Sequence, residues 1–113
     1  MSSSNILIVD DDADLRKTLK AALNCLNIDC QIEEAACGMD AIELFNRQFP
    51  NLVLLDIMLP DMSGLSVLKQ VRVKNPRQLV VMVTGQGTAE TAIESMKYGA
   101  FDYITKPLSL PVL

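Results

Sequence analysis

The chain has 113 residues, 50% of them hydrophobic, and carries a formal net charge of −4 at pH 7. This length suits one domain with a real core, and the hydrophobic content excludes a disordered chain. No apolar run approaches the roughly 20 residues that cross a bilayer. The acidic balance argues against direct contact with nucleic acid, and the lack of histidine excludes triads with a histidine base and histidine metal sites.

The N-terminal sequence MSSSN lacks the basic and apolar parts of a secretion signal. The three cysteines, Cys25, Cys30 and Cys37, are odd in number and do not have the spacing of a metal site. We therefore expect reduced thiols in a cytoplasmic protein.

Five apolar runs alternate with amphipathic segments along the chain. A short, unbroken aliphatic run such as residues 52–55 is typical of a strand buried on both faces of a parallel sheet. The predicted strands are residues 5–9, 30–35, 52–55, 79–83 and 101–104. The second strand has the lowest apolar content, so we expect it at an edge of the sheet.

Helices are predicted between these strands, over residues 13–26, 39–47, 63 or 64 to 74, and 89–98. Asp12 and Thr88 are the expected N-caps of the first and fourth helices, and Gly99 ends the fourth. The first helix should bury a stripe of apolar residues and direct its basic residues to solvent. The stripe comprises Leu15, Leu19, Ala22, Leu23 and Leu26, and the basic residues are Arg16, Lys17 and Lys20. In the fourth helix we expect Ala92, Ile93 and Met96 to face the core.

Polar residues follow these strands at the points where the strands end. Asp10 and Asp11 follow the first strand, Asp56 the third, Thr84 the fourth, and Lys106 the fifth. The carboxyl ends of parallel strands share one edge, which is where open α/β sheets bind ligands. Clustered carboxylates are unfavourable unless a hard cation or a lysine compensates them, and Mg²⁺ prefers oxygen ligands. The pattern therefore predicts an acidic site whose charge is compensated either by a hard divalent cation such as Mg²⁺ or by Lys106.

This set of residues, in this order, resembles the receiver domain of bacterial two-component response regulators. The resemblance covers residues 5–107. The segments LLDIMLPDMSGL and VTGQGTAETAIESMKYGAFDYITKPL are most similar to receivers of enhancer-binding transcription activators. Alternation of strands and helices predicts a doubly wound, five-stranded parallel sheet, and the resemblance implies the strand order 2-1-3-4-5. It also implies a phosphoacceptor switch rather than an enzyme, with a sensor histidine kinase as its partner.

The resemblance assigns roles at the acidic site. Asp56 takes the phosphoryl group, and Asp11 binds Mg²⁺ directly. Asp10 acts beside it, through water or as a second ligand, and Asp56 and the backbone carbonyl of Met58 complete the metal site. The alternative is that Asp56 is only a helix N-cap or a loop carboxylate and that Asp10 and Asp11 only cap the first helix.

The resemblance places Thr84 and Lys106 with Asp56 in phosphoryl transfer, and it makes Thr84 and Tyr103 the switch residues. Lys106 pairs with Asp56 and then with the phosphoryl group, and the Thr84 hydroxyl donates to a phosphoryl oxygen. Tyr103 matches the aromatic residue that responds to phosphorylation in the family. Their plainer interpretations are a surface lysine, a helix cap and a half-buried strand aromatic.

Two other functions compete with a signalling switch. Phosphohydrolases with an aspartate nucleophile begin with an Asp-x-Asp motif, which Asp10 to Asp12 contain, but Ala13 follows where those enzymes have threonine or valine. Flavin-binding modules of similar fold cradle a phosphate with donors in the first loop, and three aspartates would repel it.

Only residues 108–113 follow the Lys106-Pro107 pair, which is too short for a normal helix. We therefore expect the fifth helix to be truncated or missing. Residues 1–113 should form one receiver domain with a loose terminus at 1–4. We expect this domain either to self-associate, for example as a homodimer, or to continue naturally into that helix and an output domain. We expect no nucleic-acid or membrane contact from this domain.

Overall fold

The computed structural model describes residues 4–26, 29–85 and 87–106. Within these ranges five strands alternate with four helices, and every predicted element is found with ends that differ by at most one residue. The strands are β1 Ser4–Val9, β2 Cys30–Ala35, β3 Leu52–Leu55, β4 Leu79–Thr84 and β5 Asp102–Thr105. The helices are α1 Ala13–Cys25, α2 Gly38–Arg47, α3 Gly64–Lys74 and α4 Ala89–Lys97.

The strands form one parallel sheet in the order β2-β1-β3-β4-β5, which confirms the predicted topology and the edge position of β2. The register between neighbouring strands determines which residues lie side by side at the carboxyl edge of the sheet. Val9 of β1 lies opposite Leu55 of β3, so Asp10 and Asp56 leave the sheet side by side. The Asp56 amide donates to the Val9 carbonyl oxygen at 3.0 Å and continues the ladder into the site.

Apolar side chains cover both faces of the sheet. The larger cluster packs β1, β3 and β4 against α2 and α3, with Phe45, Leu55 and Leu68 among its fully buried members. The smaller cluster, around Ile8 and Leu19, lies beneath α1. Burial on both faces explains why these strands are continuous apolar runs.

The predicted burial of α1 is correct in its middle and wrong at its end. Leu19 is buried and Leu15 packs against it, but Leu26 is 57% exposed because it lies beyond the last helical residue. Arg16 was expected to face solvent, yet its Nη1 donates to the Asp10 carbonyl oxygen at 2.6 Å and its Nε to Glu34 at 3.0 Å. These contacts place Arg16 beneath the acidic edge of the sheet.

The predicted inward face of α4 is wrong at Ile93 and Met96, although Ala92 is half-buried as expected. Ile93 is 70% exposed and Met96 50% exposed, whereas Ser95 is fully buried. The Ser95 hydroxyl donates to the Thr91 carbonyl oxygen at 2.7 Å. Because that bond satisfies the hydroxyl inside its own helix, a small polar residue can occupy the buried face and the apolar side chains point outward.

Ser4 was expected in a loose terminus but pairs with Cys30 as the first residue of β1. The expectation of a truncated fifth helix concerns residues 107–113, which lie outside the described residues, as do residues 1–3. Across the residues the structure describes, no helix has the length and apolar character needed to span a membrane.

Candidate functional site

Three carboxylates meet at the carboxyl edge of the sheet. Asp10 and Asp56 are almost fully buried, with 2% and 5% of their surface exposed, while Asp11 is exposed. Oxygen atoms from all three lie within 4.8 Å of one another. This donor set is made only of oxygen and lies at the surface end of the strands, so it fits a hard divalent cation such as Mg²⁺.

Lys106 is the cation that faces these carboxylates. Its Nζ lies 2.7 Å from Asp10 Oδ2 and 3.1 Å from Asp56 Oδ2. Its position follows from sheet register, because β5 pairs with β4 and the Lys106 amide donates to the Thr84 carbonyl oxygen at 2.9 Å. The structure therefore brings together four of the predicted site residues, Asp10, Asp11, Asp56 and Lys106.

The second oxygen of each buried carboxylate accepts from a backbone amide. Asp12 N donates to Asp10 Oδ1 at 2.9 Å, and Met58 N donates to Asp56 Oδ1 at 3.3 Å. Each carboxylate is thus held between Lys106 on one oxygen and its own following loop on the other. This arrangement fixes the direction in which both groups face.

The charges in the site are only partly balanced. Burial raises the pKa of Asp10 and the negative charge of Asp56 adds to that effect, while hydrogen bonds from Lys106 and the Asp12 amide act in the opposite direction. Burial also acts to lower the pKa of Lys106, but its bonds with Asp10 and Asp56 outweigh burial and raise it. One lysine charge paired with Asp10 and Asp56, in a cluster that also contains Asp11, leaves negative charge that an added cation can neutralise.

The loop after β3 turns sharply around Asp56. Met58 and Ser63 form an antiparallel bridge across it, and Gly64 N donates to the Ile57 carbonyl oxygen at 2.6 Å. A Cβ on Gly64 would lie 1.9 Å from the Asp56 carbonyl oxygen, so only glycine allows α3 to begin this close to the site. The Met58 side chain is 56% exposed. The metal contact predicted for its carbonyl stays a prediction.

Thr84 and Tyr103 border one glycine next to the site. Thr84 is fully buried at the end of β4. A Cβ added to Gly87 would lie 1.7 Å from the Tyr103 hydroxyl and 3.0 Å from Thr84 Cγ2, so both side chains approach the space that Gly87 leaves open. The Tyr103 hydroxyl lies 3.0 Å from Thr91 Oγ1 on α4. The two predicted switch residues are therefore neighbours of the same short loop.

A family profile described as the response regulator receiver domain matches residues 6–113 of this chain. The chain belongs to the response regulator receiver family. Receiver domains are signalling domains that bind Mg²⁺ at an acidic pocket and interact with histidine kinases, and the acidic cluster described above has the composition of such a pocket.

Known relatives of this receiver domain are longer proteins. The response regulator protein PilR of Pseudomonas aeruginosa is 39% identical over 110 residues, which cover 97% of this chain and 24% of PilR. The regulatory protein LuxO of Vibrio cholerae is 41% identical over 100 residues, which cover 88% of this chain and 22% of LuxO. The chain thus spans less than a quarter of the length of these two curated relatives.

A solved receiver structure has the same fold. It is the CheX-CheY-BeF3-Mg+2 complex from Borrelia burgdorferi, with a TM-score of 0.89 and 26% sequence identity. The similarity covers 96% of this chain and 82% of that chain.

Thr91 is a residue of this receiver domain that sequence reasoning missed. Thr88 and Thr91 form a reciprocal cap at the start of α4, in which Thr88 N donates to Thr91 Oγ1 at 2.8 Å and Thr91 N donates to Thr88 Oγ1 at 3.2 Å. The spacing of two threonines could have revealed the cap. Only the folded chain reveals that the same hydroxyl contacts Tyr103.

Arg72 of α3 is a second residue that the sequence did not identify. Its guanidinium donates to main-chain carbonyl oxygens of Tyr98 and Gly99 at 3.1 and 2.9 Å, where α4 ends. It also donates to the carbonyl oxygens of Pro76 and Gln78, both at 2.9 Å. Arg72 thereby ties the end of α4 to the connection between α3 and β4.

Proposed function

We propose that this receiver domain takes a phosphoryl group from the phosphohistidine of a sensor histidine kinase onto Asp56. The observation that carries the proposal is the environment of Asp56. It is a buried carboxylate with Lys106 Nζ 3.1 Å from one oxygen, and the carboxylates of Asp10 and Asp11 adjoin it. A carboxylate in this setting has a cation and a potential metal site beside the position that a phosphoryl group would occupy.

In the proposed reaction an Asp56 oxygen attacks phosphorus, an O–P bond forms, and the P–N bond to the kinase histidine breaks. The products are an acyl phosphate on Asp56 and a free histidine on the kinase. The transition state spreads charge over the equatorial oxygens, so positioning and electrostatics supply most of the catalysis. Lys106, already paired with Asp56 Oδ2, can shift its contact to a phosphoryl oxygen.

The proposed metal ligands are Asp11, Asp10, Asp56 and the carbonyl of Met58. When bound there, Mg²⁺ supplies positive charge that offsets the carboxylates and the transferred group. Related support comes from the Borrelia burgdorferi CheY complex, whose name includes BeF3 and Mg+2.

The proposed switch is a shift between two conformations of the half of the domain that contains β4, α4 and β5. The phosphoryl group gives Thr84 a new hydrogen-bond acceptor, and Tyr103 responds because it borders the same loop. A ligand or modification changes such an equilibrium only through contacts that differ between the two states. Thr84 and Lys106 are the residues that would make those contacts.

The proposed output is control of transcription through a further domain, as the lengths of PilR and LuxO suggest for the natural chain. The proposal places this exchange in the cytoplasm, where receiver domains typically work. Self-association of the domain, for example as a homodimer, remains part of the proposal as the alternative to continuation into an output domain.

Acetyl phosphate with Mg²⁺ tests the proposal on the isolated chain. The wild type should gain one acid-labile phosphoryl group, mapped by mass spectrometry to Asp56, and Asp56→Asn should gain none. Asp29→Asn is a matched control, because it removes one exposed carboxylate at the opposite edge of the sheet. A phosphoryl group on Asp10, or steady hydrolysis without a bound intermediate on Asp56, would refute the assignment and favour the phosphohydrolase alternative.

A further inference from the structure

The loop between β3 and α3 caps a helix that lies far from it in sequence. Asp61 Oδ1 accepts from Gly38 N at 2.7 Å and Asp61 Oδ2 accepts from Met39 N at 2.9 Å. These are the first two amides of α2. Cys37, which occupies the N-cap position of α2, makes no side-chain cap hydrogen bond. The carboxylate that satisfies the start of α2 therefore comes from the loop that follows the phosphoacceptor.

A second contact holds the same part of the loop on α2. A Cβ on Gly38 would lie 2.4 Å from Met62 Cγ and 2.6 Å from its Sδ, so the missing side chain leaves the space that Met62 fills. Met62 also packs against the larger core cluster. The amides of Gly38 and Met39 lower the pKa of Asp61, which agrees with an ionised cap.

The loop that Asp61 anchors is closed on itself and reaches Asp56. Met58 and Ser63 bridge its two sides, and Met58 N donates to Asp56 Oδ1 at 3.3 Å. The bridge and the contacts of Asp61 with Gly38 and Met39 connect the start of α2 to the segment that carries Met58. The position of the loop's outer end on α2 therefore sets the position of Met58 beside the phosphoacceptor.

We propose that Asp61 is a positioning residue for the metal and phosphoryl chemistry at Asp56. By capping α2 it fixes the loop that carries Met58, although Asp61 itself contacts neither the acidic cluster nor Lys106 in the hydrogen bonds of the described residues. This inference rests on the proposed function of the site. Partners that orient metal ligands without touching the metal typically change metal affinity by roughly 10- to 100-fold when they are removed, and we expect about tenfold for Asp61→Ala.

The test is a titration with Mg²⁺ alone, followed by amide chemical shifts of Asp56 and Met58 in the full chain. Asp61→Ala removes the cap and the charge, whereas Asp61→Asn removes the charge and keeps one acceptor oxygen. Asp40→Asn is the matched control, because Asp40 is an acidic residue in the first turn of the same helix. We expect Asp61→Ala to weaken Mg²⁺ binding about tenfold, Asp61→Asn to lie between it and the wild type, and Asp40→Asn to match the wild type.

Two results would overturn the inference. Asp61→Ala with a lowered melting temperature but wild-type Mg²⁺ affinity would reduce Asp61 to a helix cap. Equal weakening in Asp61→Ala, Asp61→Asn and Asp40→Asn would show that negative charge alone matters.

If Asp61→Ala does not fold, Asp61→Asn decides: weaker binding than Asp40→Asn supports the inference, and equal binding refutes it. A wild type that takes no phosphoryl group from acetyl phosphate would instead refute the proposed function, because the Mg²⁺ titration does not depend on phosphorylation.

Discussion

Replacement of Asp11 by asparagine should stabilise the metal-free receiver domain and abolish its response to Mg²⁺. Asp11 is the exposed member of the acidic cluster, so its substitution leaves the buried pairs of Lys106 with Asp10 and Asp56 intact. The change removes one of three negative charges that face a single ammonium group. Without metal those charges repel one another, and the folded state is the state in which they are held together.

The size of the effect follows from the distances. Oxygens of Asp11, Asp10 and Asp56 lie within 4.8 Å of one another. Two unit charges at that distance repel by roughly 0.9 kcal/mol in bulk water. Asp11 takes part in two such pairs, and partial compensation by Lys106 reduces their sum, so we expect Asp11→Asn to raise the free energy of unfolding by about 1 kcal/mol.

With bound Mg²⁺ the wild type should become more stable than Asp11→Asn, which reverses their order in the absence of metal. At a concentration 100 times its dissociation constant, a ligand that binds only the folded state adds about 2.7 kcal/mol to the free energy of unfolding. The wild type should gain this amount, and Asp11→Asn should gain little. The assay is urea unfolding at pH 7 followed by circular dichroism, in EDTA and in Mg²⁺. Asp29→Asn controls for the change in net charge.

Three outcomes would refute this reasoning. If Asp11→Asn is no more stable than the wild type in EDTA, repulsion in the cluster is already relieved within the protein. If the substituted protein responds to Mg²⁺ as the wild type does, Asp11 is not a ligand. An equal gain in Asp29→Asn would attribute the effect to net charge rather than to the cluster.

Two further predictions concern contacts outside the acidic cluster. Tyr103→Phe and Thr91→Val each remove one partner of the 3.0 Å hydroxyl contact, so a double-mutant cycle in urea should give a coupling of about 0.5–1.5 kcal/mol, and additive effects would mean that water replaces the contact. Lys20 and then Arg16 hold the pKa of Glu34 below its usual 4.5, so this carboxylate stabilises the fold above pH 4.5 and the contribution is lost as the pH falls through its lowered pKa. The wild type should lose stability more steeply than Glu34→Gln in that acidic range, and parallel pH profiles would contradict the expectation.

The sequence was sufficient to predict the strands of the sheet and the residues that lie at its acidic edge. Strands buried on both faces are continuous apolar runs, so their ends are easy to locate, and parallel strands bring their carboxyl ends to one edge. Asp10, Asp56, Thr84 and Lys106 each follow a strand, and the observed register sets them along that edge. Their chemical roles remain predictions, since geometry alone does not transfer a phosphoryl group.

Contacts between distant segments could not be predicted in the same way. Asp61 meets α2 across 22 and 23 residues of sequence, and Arg72 meets the end of α4 across 26 and 27 residues. No local pattern marks either residue as a cap or an anchor. The face of α4 was mispredicted for a different reason: periodicity counts apolar residues, and it does not register that the Ser95 hydroxyl can be satisfied within its own helix.

The two ends of α4 are held very differently. At the C-terminal end, the guanidinium of Arg72 donates hydrogen bonds to the carbonyl oxygens of Tyr98 and Gly99. At the other end, the described side-chain link from α4 to β5 is one contact between Thr91 and Tyr103. If the C-terminal end of α4 stays fixed, the helix can move by tilting about that end rather than by shifting along its axis. With a rise of about 1.5 Å per residue the helix is roughly 13 Å long, so a tilt of about 10° displaces its free tip by about 2 Å while the Arg72 end stays in place. A partner that senses α4 would therefore detect the largest displacement at its N-terminal turn, next to the loop that leads from the phosphoacceptor edge.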